Sequence, residues 1–181
     1  MPSQRFFRRA GAGLATAAAV VSATVTMITP ASAGSIGNVA LIPSVAPKVN
    51  VALGAEFPLA QRNSAAFDPA ERWDMVEKVP LGGLFVLRNL HKVDGKFVCM
   101  DSQAPGQGLP KAGDAVGTRP CDGTNSQLWI RKNNSDKTIT LTNAYSKYVL
   151  SWAGTGAVPA YEQKVPNQTL VFPNFRLIVN P

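Results

Sequence analysis

The chain has 181 residues, with 18 Lys and Arg, 11 Asp and Glu and a single histidine, for a formal net charge of +7. Two cysteines, 15 glycines and 14 prolines exclude a disulfide-dense miniprotein and argue against a bundle of long helices. The cations are scattered rather than clustered, so the charge reads as solubility and not as a nucleic-acid footprint.

In chain order, the first 33 residues read as a cleavable secretory signal. Arg5, Arg8 and Arg9 make a basic start, Ala10 to Ile28 is apolar and rich in Ala and Val, and Ala31-Ser32-Ala33 is a small-x-small cleavage site. An uncleaved anchor is the alternative. Processing after Ala33 predicts a secreted chain that begins at Gly34, about 148 residues long, the length of one domain. No later run is long and apolar enough to span a bilayer. In an exported chain Cys99 and Cys121 point to a disulfide, with two separate buried thiols as the alternative. Together with His91 they make no convincing metal-ligand set.

Beyond the signal the apolar runs are short, β-branched or aromatic, and punctuated by Gly, Pro, Asn, Asp and Ser. They fall at Val39–Pro43, Lys48–Ala52, Leu84–Leu87, Phe97–Met100, Leu128–Ile130, Ile139–Leu141, Tyr148–Leu150 and Phe175–Val179. This pattern predicts an all-β barrel or sandwich. Asp94-Gly95 reads as a hairpin turn, and Asn134-Ser135-Asp136 as the turn between two units. A weak internal repeat runs through the chain. Val39–Pro43 (VALIP), Phe85–Asn89 (FVLRN) and Ile139–Asn143 (ITLTN) start about 46 and 54 residues apart. Second strands follow at Lys48–Ala52, Lys96–Met100 and Lys147–Ser151, and late rings at Trp73, Trp129 and Phe172.

The middle unit carries the most specific pattern: GKFVCMD at Gly95–Asp101, then CDGTNSQLW at Cys121–Trp129. It resembles the repeat of ricin-type lectin domains, G-K-C-L-D followed by C-x-G-x-x-x-Q-x-W. The resemblance implies a β-trefoil of about twelve short strands in three lobes, near residues 34–83, 84–136 and 137–181, and a Cys99–Cys121 bond within the second lobe. It also implies a shallow sugar pocket in that lobe. Asp101 would accept hydrogen bonds from sugar hydroxyls, with Gln127, Asn125 and Arg119 completing the contacts. On this reading Gln127 shares a strand face with Trp129, and Asp101→Ala abolishes binding with little change in stability.

The sequence departs from the family where a Gln-x-aromatic often precedes the second cysteine; Gly117 and Arg119 stand there. In the third lobe Ser151 replaces the Asp and is followed by Trp152, and the first lobe has no acid around Ala52–Gly54, with Glu56 displaced. Trp73 and Trp129 read as core anchors, and His91 as a solvated residue in a turn. No catalytic motif is present, and no cofactor is implied. The expected partner is a glycan or cell-surface polysaccharide of galactose or xylose type. The rival expectation is a secreted protein partner, the trefoil serving as a hydrolase inhibitor or as the binding subunit of an assembly. Asn133 and Asn167 head glycosylation sequons.

Overall fold

The computed structural model describes residues 34–54, 57–62, 67–79, 82–103, 107–154, 157, 161–166, 172–179 and 181. The signal segment, Glu56 and the sequon asparagine Asn167 lie outside the described residues.

Among the described residues, twelve strands fall into three groups of four. The first lobe has β1 (Ile36–Pro43), β2 (Asn50–Ala52), β3 (Ala60–Arg62) and β4 (Trp73–Val79). The second has β5 (Leu84–Val93), β6 (Lys96–Asp101), β7 (Gly117–Pro120) and β8 (Trp129–Asn133). The third has β9 (Ile139–Asn143), β10 (Val149–Trp152), β11 (Tyr161–Lys164) and β12 (Asn174–Val179). The first and last strand of each lobe pair antiparallel around a ring, β1–β4–β5–β8–β9–β12 and back to β1. This closed barrel is capped by the hairpins β2–β3, β6–β7 and β10–β11, and the whole is a β-trefoil.

The core explains why a weak repeat suffices to specify three lobes. Val39 pairs with Trp73, Phe85 with Trp129 and Ile139 with Phe175, and all six side chains are buried in one cluster. Each indole also has its N–H satisfied: Trp73 Nε1 donates to Val51 O (3.0 Å) and Trp129 Nε1 to Met100 O (3.1 Å). A buried indole therefore contributes its large apolar area without leaving a donor unpaired. The third ring is Phe175, not Phe172, which is 38% exposed. Strand β12 begins at Asn174, so only Phe175 reaches the register opposite Ile139.

Two asparagines fasten successive lobes. Asn89 Nδ2 donates to the Ala70 carbonyl (3.1 Å), and Asn143 Nδ2 donates to the carbonyls of Ser126 (2.7 Å) and Leu128 (3.1 Å). Both asparagines are fully buried. The sequence repeat FVLRN/ITLTN thus ends on a residue that ties each lobe to the one before it. Asp94 and Gly95 both adopt positive φ (50° and 73°), as a two-residue hairpin turn requires.

Candidate functional site

Asp101 closes β6, and Gln127 ends a single 3-10 turn, Asn125–Gln127, just before Trp129. The chain leaves strand geometry there, so Gln127 does not share a strand with Trp129, and it turns to meet Asp101. Gln127 Nε2 donates to Asp101 Oδ2 (3.2 Å) and to Pro120 O (2.9 Å), and its Oε1 accepts from the amides of Asp122 (3.2 Å) and Gly123 (3.3 Å). Asp101 Oδ1 accepts from the Gln103 amide (2.8 Å). Both side chains have 0% exposure. The pair is an internal bracket that fixes the loop following Cys121.

That geometry corrects the expected effect of Asp101→Ala on stability. Removing the carboxylate takes an acceptor from a fully buried Gln127 amide, a loss of about 1–3 kcal/mol. We expect a lowered melting temperature for Asp101→Ala and a smaller drop for Asp101→Asn, which keeps one carbonyl acceptor. Equal melting temperatures for wild type and Asp101→Ala would refute the bracket.

The other two predicted residues are on the surface. Arg119 is half-buried on β7, opposite Cys99, and Asn125 is exposed on the 3-10 turn. Beside Arg119, burial pushes the Asp122 carboxyl up. Hydrogen bonds from the Thr124 amide and hydroxyl, with the Arg119 charge, outweigh this and bring it below the usual carboxylate value. Ser126, the residue after Asn125, is buried. Cys99 and Cys121 form the disulfide, with Cα atoms 5.0 Å apart.

Arg119 stands where the family has its ring, and the glycine that replaces the family's Gln, Gly117, has a packing cause. The chain of the first lobe crosses directly over it: Pro58 pairs with Gly117, Thr118 N donates to Phe57 O (2.9 Å) and Leu59 N to Val116 O (2.9 Å). A Cβ at position 117 would overlap the Phe57 carbonyl. No side chain fits there, the family's glutamine included.

In the third lobe Ser151 pairs with Glu162 as Asp101 pairs with Gly117. Its buried hydroxyl accepts from the Phe172 amide (3.2 Å). Trp152 is half-buried, packs against Phe172 at 6.0 Å and donates from Nε1 to Gln61 Oε1 (3.0 Å). Its indole is a contact between the third and first lobes. His91 is exposed but lies within β5 rather than in a turn, because the hairpin continues to Asp94-Gly95.

That extension builds a feature the sequence reading missed. Two hollows of about 480 and 330 Å³ adjoin between the first and second lobes, with Leu53, Gly54 and Val93 common to both. Arg62, Asp68 and His91 edge the larger one. Asp94, Lys96 and Arg119 edge the smaller. The signal for it was the extra length of FVLRNLHKV (Phe85–Val93) compared with ITLTN (Ile139–Asn143). Among the described residues no three His, Cys, Asp or Glu side chains cluster as a metal site would require. No helix there is long and apolar enough to cross a membrane.

The model of one family, ricin-type β-trefoil lectin domain-like, matches residues 69–163, just over half of the chain. The chain belongs to that family. No curated protein sequence matches it. Similar solved structures include the Polyporus squamosus lectin bound to a human-type influenza-binding epitope (TM-score 0.64, 14% identity, covering 80% of this chain and 49% of that one). This ricin-type trefoil therefore spans about half the length of that lectin. The designed threefold-symmetric protein ThreeFoil is similar over 78% of this chain and 98% of its own (TM-score 0.64, 15% identity). An exo-β-1,3-galactanase from Clostridium thermocellum matches over 79% of this chain and 30% of its own (TM-score 0.64, 12% identity). At these identities the likeness shows the fold.

Proposed function

We propose that this trefoil is a secreted, non-catalytic carbohydrate-binding module whose recognition surface lies on the second lobe. Membership of the ricin-type lectin-like family carries the reading. The second lobe supports it further, because it alone combines the disulfide, the Asp101–Gln127 bracket and a family match along its whole length. The bracket holds the backbone, and the accessible contacts are Arg119 and Asn125. A guanidinium and an amide are strong donors for sugar hydroxyls.

A second reading, a protein-binding trefoil in an inhibitor or a multi-part assembly, is favoured by one specific observation. The family's stacking ring is absent, its position held by Arg119, and the first lobe's chain packs over Gly117 two residues before it. A broad glycan array on the secreted protein separates the two. We expect binding to at least one glycan class, weakened by Arg119→Ala at unchanged melting temperature. An array with no binding would overturn the carbohydrate reading in favour of the protein partner.

A further inference from the structure

We infer that the paired hollows between the first and second lobes form an extended binding groove for a neutral, linear oligosaccharide, separate from the interior of the second lobe. The inference rests on the carbohydrate-binding reading and assigns it a place and a ligand shape.

The floor of the groove is apolar and shared between lobes. Leu53 follows β2, Ala70 sits in the first lobe's 3-10 turn and Val98 lies on β6. These three form a small buried cluster of their own, apart from the main core. One wall is the far end of the β5–β6 hairpin, where Val93 stays 41% exposed. In the third lobe β9 stops at Asn143 and the chain turns at once, with Ala144 N donating to Leu128 O. In the second lobe β5 continues four residues past Asn89 to Val93. The added length stands over the first lobe's turn, with Leu90 N donating to Arg72 O (3.0 Å). The groove therefore follows from one lobe's longer hairpin.

Each hollow has both kinds of polar partner on its rim. The larger has Arg62 and Asp68, an ion pair at 2.8 Å with each side chain 45% exposed, with the His91 imidazole beside them. The smaller has Lys96 and Arg119 against Asp94. Cations donate to hydroxyls and carboxylates accept from them, and an apolar floor accommodates the C–H face of a pyranose. Repetition of this pairing across Val93 fits a chain with a hydroxyl-rich edge on successive residues. Arg62, Lys96 and Arg119 nearly balance Asp68 and Asp94, so the rim has no concentrated positive field to select an acidic chain over a neutral one. The individual volumes fall within the roughly 300–1,000 Å³ range of small-molecule sites, and a chain that bridges them engages both.

The test uses the secreted protein and neutral linear oligosaccharides of increasing length, with affinities from calorimetry. Binding should strengthen with length until the ligand spans both hollows. Val93→Arg, which obstructs the shared wall, and the double variant Arg62→Ala/Lys96→Ala should each weaken the longer ligands by at least about tenfold, equivalent to about 1.4 kcal/mol. All the substituted side chains are at least partly exposed, so melting temperatures should not move. Wild-type glycan binding that both variants retain would overturn the groove and leave the carbohydrate reading standing. Tighter binding of acidic than of neutral chains would overturn the assigned ligand. No glycan binding by wild type would overturn the carbohydrate reading, and the groove with it.

Discussion

Trp129→Ala should destabilise the protein by about 3–5 kcal/mol, the cost of deleting a fully buried large aromatic side chain. The ring has 0% exposure, pairs opposite Phe85 in the barrel and spends its only donor on Met100 O. Truncation opens a cavity where the barrel meets its hairpin cap and removes the bond that holds β6 against β8. Urea unfolding monitored by near-ultraviolet circular dichroism would measure the loss. A variant with wild-type stability and no glycan binding would instead make the ring a ligand platform, which its burial opposes.

Loss of the Cys99–Cys121 disulfide should cost about 2–4 kcal/mol. The two residues are 22 apart in sequence, and the chain-entropy model assigns a loop of that size about 3 kcal/mol. The bond joins β6 to the segment that leads into the Gln127 bracket, so its loss loosens the same loop that Asp101 holds from within. Cys99→Ala/Cys121→Ala, compared with wild type by thermal and chemical unfolding, provides the measurement. Peptide mapping without reductant should recover the two cysteines in one cross-linked species. Stoichiometric thiol labelling of the native protein would refute the pairing.

The parts of this fold that were legible in the sequence are those that bury rings and branched side chains. FVLRN and ITLTN were readable because their alternate residues are core, and because each ends on an asparagine with a structural task. Strands β3, β7 and β11 were not readable. They have three or four residues each, largely polar (AQR, GTRP, YEQK), and pairing with a neighbouring hairpin strand, not an apolar pattern, determines them. The third ring was misplaced at Phe172 for a related reason: two aromatics three residues apart are equivalent until the β9–β12 register selects Phe175.

At the candidate site the cysteine and Asp–Gln spacings disclosed which residues meet. They did not disclose that Asp101 and Gln127 face inward. The chain from Phe57 to Leu59 of another lobe lies against Val116–Thr118, and Gly117 there pairs with Asp101; local spacing carries no information about that approach. Gly117 was the nearest clue. A glycine where a glutamine is expected can mean a degenerate site, and here it marks the crossing of two backbones. The inter-lobe groove was less accessible still, since it arises from the difference in length between two hairpins and from residues on both sides of a lobe boundary.

The pairing of β1 with β12, from Val39 opposite Val179 to Pro43 opposite Phe175, has a consequence for the order of events in folding. The barrel is closed by a contact between the two ends of the folded chain, the largest separation in sequence available to it. Such contacts are reached late, because the whole intervening chain must be confined before they form. Until β12 arrives, β1 and β9 are open edges with unpaired amides and carbonyls, sites at which partly folded chains can associate with one another. Removing only the last strand should therefore yield an aggregating species rather than a slightly smaller trefoil.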